Sequence, residues 1–170
     1  MRRISVIGVG GSGKTELANR LAALLEVPVT HLDAVYYADD WTPLAPEEFA
    51  ARQRELVAAP AWVIDGNYAS TLDIRLKACD TVIFLDIPPA VALFGVLRRR
   101  LRYRGGQHPG QGVYDRITWG VVQYILGYRR RMRPKVEHLI AEHGTHATVH
   151  VFTSRRAVNR WLASLEPAAG

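Results

Sequence analysis

The chain has 170 residues, 48% of them hydrophobic, and its 22 lysines and arginines against 16 aspartates and glutamates give a formal net charge of +6. This length suits a single domain over residues 1–170 with a sizeable core, and no apolar run approaches the ~20 residues that span a bilayer. With no signal-like N-terminal segment and only one cysteine, we expect a cytoplasmic protein without internal disulfides or membrane contact. The positive charge suits an anionic ligand, either nucleotide phosphates or a polynucleotide.

The first predicted strand, residues 3–7, runs directly into a glycine-rich segment that is followed by a helical pattern. The segment reads Gly8-Val9-Gly10-Gly11-Ser12-Gly13-Lys14-Thr15. It matches the P-loop pattern G-x-x-x-x-G-K-[ST], in which backbone N–H groups and the start of the next helix surround a phosphate. Lys14 is then expected at the β- and γ-phosphates of ATP, and the Thr15 hydroxyl at Mg²⁺.

A second interpretation of this segment is a dinucleotide-binding loop. Gly8, Gly10 and Gly13 also fit G-x-G-x-x-G, and Asp33 follows about 20 residues later. In that fold, however, the helix turn after the third glycine packs against the sheet, so a lysine and a hydroxyl at positions 14 and 15 would have no ligand to bind. A dehydrogenase would also need a catalytic domain for which the chain has little room. The P-loop is therefore favoured.

The next predicted strand, residues 29–33, ends at Asp33, at the sheet edge where open α/β sheets bind ligands. Residues 34–60 then place aromatic side chains among acids and prolines, and a helix starts at Pro46. We predict that this segment binds the acceptor of a phosphoryl group. Its aromatics Tyr36, Tyr37 and Trp41 would either stack on an acceptor ring or pack in the protein interior, and the sequence does not decide between these.

Two aspartates compete for the role of metal-binding carboxylate. Residues 62–68 hold the third predicted strand and its exit loop, which starts at Asp65, and the fourth strand, residues 81–87, reaches Asp86 near its end. A P-loop site needs one such carboxylate opposite Thr15 to hold Mg²⁺ or its water. Asp65 is favoured because Gly66 allows a ligand to approach the backbone, whereas Asp86 leads into prolines and resembles a helix-start residue.

A helix over residues 90–101 ends in several arginines and precedes a glycine-rich stretch. We predict a lid over about residues 99–116 that closes over phosphates and supplies positive charge; the alternative is a solvated basic helix end. A helical pattern over residues 117–143, interrupted near Pro134, a fifth strand at 147–152 and a last helix at 155–165 follow. Strands that alternate with helices predict a parallel, doubly wound α/β sheet.

Several stretches together resemble a known family. They are the P-loop, Leu32-Asp33, Trp62-Val63-Ile64-Asp65-Gly66-Asn67-Tyr68, Ala78-Cys79-Asp80-Thr81-Val82-Ile83-Phe84-Leu85-Asp86-Ile87-Pro88 and Tyr128-Arg129-Arg130-Arg131. The chain resembles the adenylate-kinase-like P-loop NTPases called DNA topology modulation proteins over nearly its whole length, and D-G-N-Y is the most specific part. It is more distantly similar to adenylate, shikimate and gluconate kinases. The resemblance implies a five-stranded parallel sheet of order 2-3-1-4-5, flanked by helices as in nucleoside-monophosphate kinases, with an acceptor segment after strand 2 and an arginine-bearing lid after strand 4.

The resemblance also implies roles for single residues. Asp33 or Asp65 would contact the acceptor or the metal, Arg99 would bind a phosphate near the lid, and Arg75 would bind the acceptor. Residues 107–116 depart from the family pattern, which has an acidic, cysteine-containing stretch there. The candidate acceptor-binding residues are Asp33, Asp65, Asn67, Tyr68, Arg75 and Arg130.

These features predict a kinase that moves the γ-phosphoryl group of Mg·ATP to a small-molecule acceptor, with a nucleoside, nucleotide or similar hydroxylated metabolite as the leading class. Lys14, Asp33 and Arg99 are the candidate catalytic residues, and Thr15 and Asp65 the candidate metal ligands. Asp33 would act as a base toward a hydroxyl, whereas a phosphate acceptor would need no base and arginines would dominate the site. The nucleotide-binding residues would be Gly8, Gly10, Gly11, Ser12, Gly13, Lys14 and Thr15.

The arginine excess and the family name support an alternative, a nucleic-acid-associated ATPase or regulatory ATP-binding protein. It predicts binding to DNA or RNA that weakens steeply with salt. The arginines cluster near the predicted lid, however, and no nucleic-acid-binding motif is visible in the sequence. A kinase is therefore favoured, as a monomer or a homodimer.

Overall fold

The computed structural model describes residues 1–37, 42–103 and 118–166. Within these residues, five parallel strands form one sheet in the order β2-β3-β1-β4-β5, with helices on both faces. The strands are β1 (Arg3–Gly8), β2 (Val29–His31), β3 (Trp62–Asp65), β4 (Thr81–Leu85) and β5 (Thr148–Phe152). The helices are α1 (Lys14–Leu25), α2 (Leu32–Tyr36), α3 (Pro46–Val57), α4 (Leu72–Ala78), α5 (Pro89–Tyr103), α6 (Trp119–Arg131), α7 (Arg133–His143) and α8 (Arg155–Leu165), with a 3₁₀ turn at Ala69–Thr71. The predicted fold class and strand order are confirmed.

The hydrophobic core lies in two clusters on opposite faces of the sheet. The central strands are apolar on both faces, as expected for parallel strands that are covered by helices. In β3, Val63 packs in the cluster with α1 and α8, whereas Trp62 and Ile64 pack in the cluster under α3 to α7. The carboxyl ends of β1, β3 and β4 therefore meet at one buried edge, where the loops that follow them lie side by side.

Two differences from the predicted elements have clear physical reasons. β2 ends at His31, which pairs in register with Asp65, so Asp33 lies in the first turn of α2 and not at a strand end. An acidic side chain is favoured there by the helix dipole. The long pattern over residues 117–143 is two helices, α6 and α7, because Pro134 fits only the first turn of a new helix.

Parts of two predicted segments lie outside the described residues. These parts are residues 104–116 of the predicted lid, and residues 38–41 of the acceptor segment, which include Trp41. Arg99 is described and belongs to α5. Among the helices in the described ranges, none combines the length and apolarity needed to cross a membrane.

The single cysteine is a core residue. Cys79 is fully buried, and its Sγ donates to the carbonyl oxygen of Leu76 at 3.4 Å. Burial raises the pKa of its thiol to about 11. Cys79 is therefore a small packing residue of the core.

Candidate active site

The glycine-rich loop between β1 and α1 has the backbone of a phosphate-binding loop. Gly11 and Gly13 have φ angles of 79° and 99°, in the left-handed region that favours glycine, and Gly13 is the N-cap of α1. A Cβ on Gly13 would meet no atom within 4 Å, whereas one on Gly11 would run into the carbonyl oxygen of Ala92 on α5. The loop thus faces open space at the positive end of a 12-residue helix, where an anion is stabilised.

Lys14 is the first residue of α1 and directly follows the last glycine of the loop. Its Nζ donates to the carbonyl oxygen of Val9 at 3.2 Å. Burial lowers the pKa of Lys14, and the neighbouring carboxylates of Asp65 and Asp33 partly oppose that effect, while Arg99 adds to it. The predicted catalytic residues Asp33 and Arg99, and the predicted metal carboxylate of Asp65, are therefore close enough to Lys14 to affect its pKa.

Thr15 and Asp65 form the oxygen pair expected for a magnesium site. Thr15 Oγ1 donates to Asp65 Oδ2 at 3.1 Å, and Asp65 is only 4% exposed. The register of β1 and β3, with Val6 opposite Asp65, brings this carboxylate to the P-loop. Hydroxyl and carboxylate oxygens are the hard donors that Mg²⁺ prefers, so the residues present fit a magnesium-bound nucleotide.

Asp86, the competing aspartate, has different partners. It is 2% exposed, and Arg129 donates to both of its carboxylate oxygens at 2.9 Å through Nε and Nη2. Arg133 adds a contact of 3.1 Å between Nη1 and Oδ2. Asp86 therefore anchors α6 and α7 to the end of β4, an ion pair that the sequence interpretation as a helix-start residue missed.

The D-G-N-Y loop after β3 connects the P-loop to two other parts of the molecule. Tyr68 donates from its hydroxyl to Asp33 Oδ1 at 2.8 Å, which ties the loop to α2. Asn67 donates from Nδ2 to the Tyr124 hydroxyl at 2.5 Å and accepts from the Tyr128 hydroxyl at 2.8 Å, which ties it to α6. Three predicted site residues of this loop, Asp65, Asn67 and Tyr68, thus lie at one edge with Asp33.

Arg75 occupies a different place from the one expected of an acceptor ligand. It is fully buried, and its Nη1 donates to the carbonyl oxygen of Gly66 at 3.0 Å. Further contacts reach Ser5 Oγ at 3.4 Å and the carbonyl oxygen of Tyr68 at 3.5 Å. Burial lowers the pKa of Arg75 to about 10. The guanidinium lies beneath the D-G-N-Y loop and supports its backbone, so we assign it to positioning the loop.

Arg130 also lies away from Asn67. It is exposed on α6, two positions after the buried Tyr128, and residues two positions apart on an α-helix do not share a face. Arg130 borders a surface cavity of about 570 Å³ that is lined by Gln123, Leu126, Gly127, Arg130 and Arg131. None of the P-loop residues lines it.

One aromatic residue of the predicted acceptor segment, Tyr36, packs against other rings of the protein. Tyr36 packs against Phe49 and Tyr68, with ring centroids 5.0 and 4.8 Å apart. The same three rings border a cavity of about 390 Å³, at which Glu47 and Arg54 supply charged groups. One of the residues that line this cavity is Tyr68, whose hydroxyl donates to Asp33.

Sequence reasoning missed four polar residues of the site, His31, Asn19, Tyr124 and Tyr128. His31 Nδ1 lies 2.6 Å from Asp65 Oδ1, and this hydrogen bond raises the pKa of His31 against the opposing effect of burial. His31 Nε2 lies 3.2 Å from Asn19 Oδ1. The sequence held one signal for His31. In the predicted strand over residues 29–33, His31 and Asp33 are two positions apart and would share one face.

The sheet, the phosphate-binding loop and the flanking helices define the P-loop kinase fold. The chain is similar to shikimate kinase from Acinetobacter baumannii in complex with shikimate, at 17% identity and a TM-score of 0.61, covering 97% of this chain and 90% of that one. It is also similar to shikimate kinase from Bacteroides thetaiotaomicron (19%, TM-score 0.51, 96% and 95%) and to a sugar kinase from Janibacter sp. (18%, TM-score 0.51, 99% of both chains).

At these identities the likeness shows a shared fold. No family model and no curated protein matches the chain. The resemblance to DNA topology modulation proteins therefore stays a prediction, since the three structures named above are shikimate and sugar kinases.

Proposed function

We propose that the protein is a kinase that transfers the γ-phosphoryl group of Mg·ATP to a hydroxyl group of a small molecule. The observation that carries the proposal is that Thr15 and Asp65, 3.1 Å apart at the P-loop, share one sheet edge with Asp33. The charge of Asp33 also acts on Lys14 of the loop, so a candidate base lies near the nucleotide-holding pair. The shared fold with shikimate and sugar kinases supports the proposal.

The nucleotide side of the site consists of residues 8–15. The backbone N–H groups of the loop and Lys14 would bind the phosphates, and Thr15 and Asp65 would hold Mg²⁺ directly or through water. The bound metal would neutralise phosphate charge. Arg99, which is close enough to lower the pKa of Lys14, would add positive charge beside the transferred group.

The acceptor side favours a hydroxyl over a phosphate. Among the described residues, Tyr68 binds Asp33 Oδ1, which leaves Oδ2 to take the proton of an acceptor hydroxyl. The acceptor oxygen then bonds to the γ-phosphorus, and the bond to the β-phosphate oxygen breaks to release ADP. A phosphate acceptor would instead need cations, and Arg75, the arginine expected there, is buried beneath the loop. Nucleosides and sugars are therefore preferred to nucleotides.

The test is release of ADP from Mg·ATP by wild type and by Lys14→Ala. Each is measured alone, with pooled nucleosides, nucleotides and hydroxylated metabolites, and separately with DNA. We expect one hydroxyl-bearing pool to stimulate the wild type, and Lys14→Ala to lose at least about a hundredfold of that rate with its thermal unfolding unchanged. The control is Lys77→Ala, because Lys77 is exposed and pairs with Asp73 on α4.

Two results would overturn the proposal. Undiminished stimulation in Lys14→Ala would show that the P-loop is not the catalytic site. Stimulation by DNA alone would favour the alternative, a nucleic-acid-associated ATPase.

A further inference from the structure

Four side chains close a ring at the edge of the phosphate-binding loop. Thr15 and Asn19 lie one turn apart on the same face of α1. Thr15 Oγ1 is 3.1 Å from Asp65 Oδ2, and Asp65 Oδ1 is 2.6 Å from His31 Nδ1. His31 Nε2 is 3.2 Å from Asn19 Oδ1, which returns the chain of contacts to α1.

The strand register explains why this ring forms. His31 is the last residue of β2 and lies opposite Asp65, the last residue of β3. Paired residues of neighbouring parallel strands point to the same face, so the two side chains meet directly. Both are shielded from solvent, since the side chains of His31 and Asp65 are 12% and 5% exposed.

The ring holds both oxygens of one carboxylate from opposite sides. An ionised carboxylate only accepts hydrogen bonds, so His31 Nδ1–H donates to Oδ1 while the Thr15 hydroxyl donates to Oδ2. His31 belongs to β2 and Thr15 to α1, so hydrogen bonds from two different elements fix the orientation of the Asp65 carboxylate plane. Without His31, Asp65 would be free to rotate about its last side-chain bond and turn Oδ2 away from Thr15.

We propose that His31 is a positioning residue that orients Asp65 for a magnesium-bound nucleotide, and that Asn19 in turn orients the imidazole. This proposal depends on the proposed function in one respect, because it takes Asp65 as the carboxylate that holds the metal. In this role His31 would contact Asp65 and Asn19, and neither the metal nor the nucleotide. Loss of such an outer partner typically lowers metal affinity or activity by about 10- to 100-fold.

The test measures equilibrium binding of a fluorescent ADP analogue to the full chain, with Mg²⁺ and with EDTA, so that it needs no acceptor and no turnover. His31→Leu keeps the bulk and removes the donor, whereas His31→Asn places an amide nitrogen near the position of Nδ1. We expect His31→Leu to lose about tenfold or more of the affinity that Mg²⁺ adds, and His31→Asn to restore most of it. Binding in EDTA should be equal in all three proteins.

His150→Leu is the matched control, because His150 is a half-buried histidine on β5 that stacks on Phe152 and packs at a tilt against Trp161. If His31→Leu does not fold, Asn19→Ala removes the other partner of His31 and should reduce the Mg²⁺ effect in the same direction.

A purely structural role would weaken binding equally in Mg²⁺ and EDTA, and that result would overturn the inference, as would an unchanged Mg²⁺ effect in His31→Leu. Failure of the kinase proposal looks different. It would appear as no phosphoryl transfer by a wild type that still binds the nucleotide with Mg²⁺ dependence.

Discussion

Arg129 binds both carboxylate oxygens of Asp86, at 2.9 Å each, from a helix that lies 43 residues further along the chain. This pair separates two aspartates that look alike in the sequence, because each follows an apolar strand beside the P-loop. Asp86 is engaged in holding α6 against the sheet. Asp65 is left as the carboxylate that meets Thr15.

Replacing each aspartate by asparagine should therefore change a different property of the protein. Asp86→Asn removes the charge that Arg129 and Arg133 share, and we expect it to lower the free energy of unfolding by about 1–3 kcal/mol because the guanidinium groups are partly exposed. Asp65→Asn should instead reduce the effect of Mg²⁺ on nucleotide binding. Denaturant unfolding checks the first expectation and nucleotide titration with and without Mg²⁺ checks the second. A larger loss of the Mg²⁺ effect in Asp86→Asn than in Asp65→Asn would reverse the assignment.

Asp33→Asn tests the acceptor side. An asparagine oxygen still accepts from the Tyr68 hydroxyl, so the local structure should persist while the base is lost. We expect kcat to fall by about a hundredfold or more, with the affinity for ATP nearly unchanged. Asp73→Asn, on the surface of α4, is the control. Equal losses in kcat and in ATP affinity would argue against a role at the acceptor.

Arg75→Met distinguishes support of the D-G-N-Y loop from direct acceptor binding. The substitution leaves the carbonyl oxygens of Gly66 and Tyr68 without their buried donor, and we expect it to destabilise the fold by about 3 kcal/mol. Arg52→Met, an exposed arginine on α3, should change stability little. A higher acceptor KM with unchanged unfolding would show instead that Arg75 contacts the acceptor.

Gly95→Ala tests the contact between α5 and the phosphate-binding loop. Arg155 Nη2 donates to the carbonyl oxygen of Gly11 at 2.7 Å, and a Cβ on Gly95 would collide with both of these groups. We expect weaker nucleotide binding and a loss of about 1–3 kcal/mol in stability. Gly120→Ala is the matched control in α6, since its nearest neighbour atom would be Thr118 Oγ1 at 3.7 Å. Normal nucleotide binding by Gly95→Ala would contradict the prediction.

Asp80 predicts a pH dependence of stability. Partial burial opposes its ionisation, but hydrogen bonds from the Thr81 hydroxyl and from the backbone N–H groups of Arg2 and Arg3 hold the pKa of Asp80 below its ordinary value. Its contribution is therefore present above the unfolded pKa and is lost as the pH falls through the folded pKa. Asp80→Asn should flatten the acid limb of the unfolding profile, measured by thermal melts from pH 6 to about 2; an unchanged limb would assign it to other groups.

The sequence predicted the parts of the site that depend on local pattern. Residues 8–15 combine glycines, a lysine and a hydroxyl at fixed spacing. This local pattern is enough to predict the phosphate-binding loop and the helix that follows it. The pairing of Thr15 with Asp65 followed because parallel strands bring their carboxyl ends to one edge.

The remaining contacts depend on packing between segments distant in the chain. An arginine such as Arg75 is usually exposed, and only the structure shows it buried under the loop. The contact of His31 with Asp65 depends on the register of two strands separated by 30 residues of intervening chain, and that of Tyr128 with Asn67 on the docking of α6. No periodicity in the sequence encodes these registers.

The burial of Cys79 has a practical consequence for spectroscopy. It is the single cysteine of the chain, it has no exposed surface, and its thiol is hard to ionise because burial raises its pKa to about 11. Maleimides and iodoacetamides react with thiolates at the surface, so the native protein should remain unlabelled. A cysteine introduced at an exposed position such as Leu97 would then be the sole point of attachment for a fluorophore or spin label, without removal of the native residue.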